Sequence, residues 1–145
     1  MTDPSPSLQV SGIHETVLYA PDLPRAVEFY RSVIGLSAMM TLSDRGASFR
    51  VTPESVLLLF EPHLAATQTD GQVPSHGATG PGHICFSTPP GTLKDWRRRF
   101  EKLGVAIEME RGWDTGARSL YVRDPAGNSV EIADGDIWGE ALHDD

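Results

Sequence analysis

With 145 residues, 39% of them hydrophobic and 22% charged, the chain has the size and make-up of one compact unit able to bury a core. Its formal net charge is −8 and its basic residues are scattered, apart from Arg97-Arg98-Arg99 on what reads as a solvated helix face. Nucleic acid is therefore excluded as an expected partner, because phosphate binding needs a concentrated basic surface. No apolar run reaches the roughly 18 residues that cross a bilayer, so a membrane is not expected either, and the single cysteine, Cys85, excludes an intrachain disulfide framework and suits a reducing cytoplasm.

The first residues, Met-Thr-Asp-Pro-Ser-Pro-Ser, have neither a basic start nor an apolar stretch, and read as a flexible lead-in rather than a signal peptide. From about Ile13 to Tyr19 the chain is β-branched and aromatic enough for a strand. Asp22 suits an N-cap and Pro24 the first helical turn, where a missing N–H costs little. Ala26, Val27, Phe29, Tyr30, Val33 and Ile34 then recur at helical spacing, and Gly35 suits the left-handed position after a helix. Strands are expected at about Ser37–Leu42, Ala47–Val51 and Ser55–Glu61. The stretch from Pro62 to Pro81 lacks periodicity, contains Gly71, Gly77 and Gly80, and reads as a long loop.

The second half repeats this order. A strand from His83 to Ser87 leads through Pro89-Pro90-Gly91 to a helix starting near Thr92, whose buried face is marked by Leu93, Trp96, Phe100 and Leu103 and whose end is marked by Gly104. Strands follow near Val105–Arg111, Ala117–Arg123 and Ser129–Ala133, the last two joined by the turn-forming run Asp124-Pro125-Ala126-Gly127-Asn128. In the tail 135–145, Trp138 is expected to pack against another part of the protein. The fold class expected is α+β, as one domain over 1–145. Module one spans about 11–62, a linker loop 63–81, module two about 82–134 and the tail 135–145.

Self-similarity extends to the polar residues. Each of His14 and His83 lies 22 residues before the last residue of an apolar–Gly–apolar triplet (36 − 14 and 105 − 83). Each module also ends near a glutamate, at offsets of 47 (61 − 14) and 48 (131 − 83). Side chains at i and i+2 share a strand face, so His14 groups with Thr16, His83 with Cys85, and Glu131 with Ser129 and Ala133. Two imidazoles and one carboxylate are the set that holds a divalent ion while leaving coordination positions open. His14, His83 and Glu131 are the candidate metal ligands, with Glu61 as a possible fourth. Cys85 reads as a small buried thiol or as a group beside the metal. His63, His76 and His143 fall in the loop or tail, and His76 is placed to close over a ligand.

The chain resembles the vicinal oxygen chelate superfamily, which includes glyoxalase I, fosfomycin thiol transferases, extradiol dioxygenases and bleomycin-resistance proteins. The resemblance runs from about Ser11 to Asp134. It is carried by His14 with Asp22-Leu23 eight residues on, by Ala26, Phe29-Tyr30 and Gly35-Leu36, and by Gly82-His83, Gly104-Val105, Tyr121, the Asp124–Gly127 turn and Glu131. It implies two βαβββ modules forming a U-shaped, partly open eight-stranded mixed sheet with helices outside. It further implies one divalent metal ion (Zn, Ni, Co, Mn or Fe), a small-molecule substrate, and a homodimer with sites shared between subunits. Glyoxalase I relatives add a carboxylate from the last strand of module one; mid-strand placement points to Leu59 there, with Leu57, Leu59 and Glu61 facing the cleft, whereas the internal repeat points to Glu61. If Glu61 does not bind, a three-ligand site results.

By the same resemblance Glu131 or Glu61 serves as the catalytic base. Thr16, Arg111 and Tyr121 resemble positions that hold a phosphonate, with Cys85 and Arg118 as further candidates for substrate contact. The potassium loop of the fosfomycin transferases is not evident in Asp114-Thr115-Gly116-Ala117-Arg118. The expected function is a metal-dependent lyase, isomerase or transferase acting on vicinal oxygens. The alternatives are an Fe(II) extradiol-type dioxygenase and a metal-free binding protein of bleomycin-resistance type.

Overall fold

The computed structural model describes residues 7–69 and 71–139. The expected lead-in at Met1–Pro6, and His143 in the tail, lie outside them.

Two four-stranded mixed sheets are formed, each from one half of the chain. The first contains β1 (Glu15–Tyr19), β2 (Met39–Leu42), β3 (Gly46–Thr52) and β4 (Ser55–Phe60) in the order β1-β4-β3-β2. The second contains β5 (His83–Thr88), β6 (Met109–Gly112), β7 (Arg118–Arg123) and β8 (Ser129–Asp134) in the order β5-β8-β7-β6. In each, the first strand runs parallel to the last and the remaining pairs are antiparallel. Between first and second strand of each module comes a helix: α1 (Leu23–Glu28), which continues as a π-helical stretch Phe29–Ile34, and α3 (Leu93–Lys102). The expected α+β architecture of two open βαβββ modules is therefore present.

Asp22 caps α1 by accepting the Arg25 N–H, and Gly35 ends the helical stretch at φ 89°, a conformation that side-chain-bearing residues rarely adopt. A short helix absent from the sequence reading, α2 (Pro62–Ala66), follows β4 directly. Its N-cap is Glu61, whose Oε2 accepts the Leu64 N–H at 2.7 Å. Among the described residues no helix is long and apolar enough to cross a membrane.

Period-2 alternation decides which face of each sheet is covered. Leu18, Ala47, Phe49, Leu57 and Leu59 are buried with Leu23, Ala26 and Val27 of α1. Leu120, Val122, Val130 and Ile132 are buried with Phe100 of α3 in the same core. Each of these Leu, Val, Ile and Phe side chains contributes about 1.5–3 kcal/mol by leaving water. A one-residue slip would turn all of them outward, so the register is strongly specified. The opposite faces are open, and that of the second sheet carries His83, Cys85, Tyr121 and Glu131.

The modules are tied together through buried polar groups. Tyr30 donates to Asp124 Oδ2 at 2.7 Å, and Asn128 donates to both Asp124 Oδ2 (2.9 Å) and the Tyr19 carbonyl (3.1 Å) while accepting the Gly82 N–H (2.7 Å). Burial, with the Asp124 charge adding to it, holds the Tyr30 phenol far above its ordinary range. The Arg97–Arg99 trio is not a free basic surface. Arg97 pairs with Glu110, Arg98 with Asp95, and Arg99 donates to the Ser32 and Val33 carbonyls at the end of the first helical stretch.

Candidate metal centre

The open face of the second sheet gathers most of the chemistry. Strand pairing sets Cys85 and Tyr121 on either side of Glu131, with His83 beside Ser129 and Arg111 beside Ser119. His83 Nε2 lies 3.3 Å from Glu131 Oε1, and the His83 and Tyr121 rings stack at 6.4 Å. The other imidazole nitrogen, Nδ1, is 3.2 Å from the Ser129 carbonyl. A carbonyl only accepts, so Nδ1 donates in that contact, and Nε2 faces a carboxylate oxygen. Either a proton on Nε2 or a cation can bridge that nitrogen and the carboxylate. Imidazole held by a backbone carbonyl, opposite a carboxylate, is the arrangement in which metal-binding histidines are fixed.

The other oxygen of Glu131 is occupied. Ser119 Oγ donates to Oε2 at 2.6 Å, and Trp113 Nε1 donates to Ser119 Oγ at 2.8 Å. Burial, followed by the Glu131 charge, raises the Tyr121 phenol above its ordinary value, so it stays protonated at neutral pH. Arg111 sits with its guanidinium carbon 4.1 Å from the centroid of the Trp113 ring.

Cys85 is exposed on this face rather than buried as expected. Desolvation, with the neighbouring Glu131 charge and hydrogen bond adding to it, pushes its thiol up to about 12. The thiol is therefore not an activated nucleophile. In chelator-treated protein at pH 8, iodoacetamide should label Cys85 at least about 100-fold more slowly than a free cysteine. Glu131→Gln removes a negative neighbour, lowers the thiol pKa and should speed labelling at the same pH. Mass spectrometry of timed aliquots reads both rates, and equal rates for the two proteins would contradict the coupling.

The remaining sequence candidates are placed elsewhere. Arg118 lies on the helix side of β7, where it pairs with Glu110 at 3.1 Å. Glu61 extends the alternation of buried Leu57 and Leu59, which face α1 and not the open side, and its carboxylate is used as the α2 cap. Thr16 pairs across with Leu57 on that same helix-facing side, so it is not the counterpart of Cys85. His76 packs on Tyr19 and Phe60 of the first sheet, with Nδ1 2.7 Å from the Tyr19 hydroxyl, and His63 is exposed. Trp138 remains 68% exposed and, with Cys85, Ser87 and Ala133, lines a cavity of about 550 Å³ beside the second open face.

The two modules can be superposed by their backbone bonds. Val56 N–H donates to the His14 carbonyl as Ser129 N–H donates to the Gly82 carbonyl. Glu15, the first residue of β1, is thus the counterpart of His83, the first residue of β5, and Leu58 is the counterpart of Glu131. His14 precedes the strand, at the position of Gly82. The sequence reading missed Glu15; the order of burial along β1 and β4 is what reveals it. Among the described residues, no group of three or more His, Cys, Asp or Glu able to hold a metal gathers within one chain.

The sequence profile of the Glyoxalase/Bleomycin resistance protein/Dioxygenase superfamily matches residues 12–132. The chain belongs to that superfamily. Within this glyoxalase superfamily, it is similar to the solved structure of lactoylglutathione lyase from Agrobacterium tumefaciens. The two are 41% identical with a TM-score of 0.83, over 90% of this chain and 98% of the other. It is also 26% identical to the metallothiol transferase FosB of Shouchella clausii, over 92% of this chain and 87% of that protein. The lactoylglutathione lyase of Pseudomonas aeruginosa is likewise 26% identical, over 95% of this chain and 90% of its own length.

Proposed function

We propose that this glyoxalase-superfamily protein is a metal-dependent enzyme acting on a small substrate held through two neighbouring oxygens, by lyase, isomerase or transferase chemistry. The observation that carries the proposal is that His83 Nε2 and Glu131 Oε1 face each other 3.3 Å apart, with Nδ1 tied to a carbonyl. Two ligands at the usual distance of about 2.1 Å from one ion span that separation. The likeness to lactoylglutathione lyase and to a metallothiol transferase supports the same reading.

His83 and Glu131 would hold the ion, one of Zn, Ni, Co, Mn or Fe. Because the described residues of one chain do not bring three ligands together, the remaining carboxylate is assigned to Glu15 of a second copy, in a homodimer with shared sites; this replaces His14 in the ligand set. With Leu58 standing opposite Glu131 in the repeat, the set has three ligands and leaves positions open. When bound, such an ion acts as a Lewis acid that polarises substrate oxygen and stabilises developing negative charge. The protonated Tyr121 phenol orients a substrate oxygen by donating to it, and Arg111 receives an anionic group. Ser119 engages Oε2 of Glu131, the catalytic carboxylate, and Oε1 faces His83 Nε2.

The test is elemental analysis of native dimer, followed by assay of 1,2-dicarbonyl and α-hydroxycarbonyl compounds with and without a thiol. About one divalent ion per chain and activity abolished by chelation are expected; native protein free of metal would overturn the reading. Glu15→Gln should weaken metal binding by about 100-fold or more, beyond the 10- to 100-fold typical of losing a supporting contact. His14→Ala should leave it within a few-fold. The reverse result would return His14 to the ligand set.

A further inference from the structure

Trp113 touches two parts of the open face that are otherwise separate. Its indole nitrogen donates to Ser119 Oγ at 2.8 Å, and that hydroxyl donates to Glu131 Oε2 at 2.6 Å. The direction of both bonds is fixed: an indole N–H can only donate and a carboxylate accepts, so the serine proton is committed to Glu131. Ser119 is fully buried and the Glu131 side chain is 5% exposed, so water does not compete for either contact. The face of the same indole ring carries the Arg111 guanidinium at 4.1 Å. Among the described residues no carboxylate pairs with Arg111, in contrast to Arg97, Arg118 and Arg123, each of which has a glutamate partner. The indole is itself anchored, since Trp113 closes the β6–β7 turn through its backbone N–H to the Ala117 carbonyl and its carbonyl to the Gly116 N–H.

We infer that Trp113 is a positioning residue with two functions: its N–H fixes the metal-holding carboxylate of Glu131 through Ser119, and its ring seats Arg111 to receive an oxyanionic group of the substrate. The inference rests on the metal-centred reading above. It follows that loss of the N–H and loss of the ring have separable effects. Trp113→Phe keeps an aromatic face under Arg111 and deletes only the donor. Trp113→Leu deletes both. Ser119→Ala breaks the link at its middle and leaves the ring in place.

Two measurements on dimeric protein test this. Metal affinity is read by competition with a chromophoric chelator. Oxyanion binding is read in metal-free protein from the NMR shift of the Arg111 side-chain N–H on titration with methylphosphonate and, separately, with acetate; the larger response identifies which oxyanion the arm prefers. Ser119→Ala should weaken metal binding by about 10- to 100-fold, the range for supporting contacts of metal ligands, and Trp113→Phe by about tenfold. Both should keep the Arg111 response. Trp113→Leu should lose the response to both anions as well as metal affinity, a split that general loss of packing would not give. Wild-type metal affinity in Trp113→Phe and Ser119→Ala would overturn the carboxylate half, and an unchanged Arg111 response in Trp113→Leu would overturn the arginine half. Wild-type protein that binds no metal would instead remove the metal-centred reading, and the carboxylate half with it.

Discussion

On the proposed function, His83→Ala should bind no divalent metal and should lose activity with it. Among the described residues His83 supplies the imidazole beside Glu131, and its side chain is half exposed, so truncation leaves no cavity in the core and the fold should survive. Removing a contact behind a ligand costs about 10- to 100-fold in affinity, and removing the ligand itself costs more. Metal content after dialysis against a weak chelator should fall from about one ion per chain to near zero, while far-ultraviolet circular dichroism is unchanged. Retention of metal by the variant would remove His83 from the site. Glu131→Gln makes a useful companion, because it keeps the Ser119 contact possible while removing the charge that the ion needs.

The largest effect on stability is expected from Asp124→Ala. This carboxylate is 5% exposed and accepts four hydrogen bonds: from Tyr30 at 2.7 Å, and from the Ala126 N–H, the Asn128 N–H and the Asn128 side chain, each at 2.9 Å. Truncation leaves these donors unsatisfied in a buried place, at about 1–3 kcal/mol for each. A destabilisation of at least about 3 kcal/mol is therefore expected in urea unfolding, together with weakened coupling between modules, since Tyr30 comes from the first and Asp124 from the second. Double substitution with Tyr30→Phe should cost less than the sum of the singles, because the two share one contact. A strictly additive result would show that the pair contributes nothing jointly.

Much of this architecture can be read from the sequence because apolar spacing and turn chemistry dictate it locally. The Asp22 cap, Gly35 and the Asp124–Asn128 turn all fall where their residue types require, and the period-2 alternation of β5 and β8 correctly brings His83, Cys85 and Glu131 to one face. The first module was harder to read. Counting from each histidine to the glycine after the helix gives equal distances, but the structure reaches those glycines by different routes. The first helical stretch is 12 residues long and half π-helical, whereas α3 has 10 residues, and the preceding connections differ by a residue. Equal counts thus concealed a one-residue offset, and in a strand one residue is the difference between faces. Burial of Leu18, Leu57 and Leu59 overrides the count and brings Glu15, not His14, to the open side.

Glu61 was misleading for a related reason. Its counterpart in the second module is Asp134, and both are structural: Glu61 caps α2, and Asp134 accepts from the Gly91 and Arg118 N–H groups. Pro62 immediately after a carboxylate was a helix-start signal hidden in a stretch that otherwise lacks periodicity. The Trp113–Ser119–Glu131 connection could not be seen at all, since it depends on a hairpin folding an indole back over its neighbour strand.

Leu58 standing where the repeat has Glu131 means that the two halves, although duplicates in outline, have ceased to be interchangeable. One sheet sets Val17 and Leu58 beside the carboxylate of Glu15, and the other offers imidazole, phenol and carboxylate. A guest touching both surfaces meets two different flanks, one richer in aliphatic side chains and one richer in polar groups, so its two possible orientations are not equivalent.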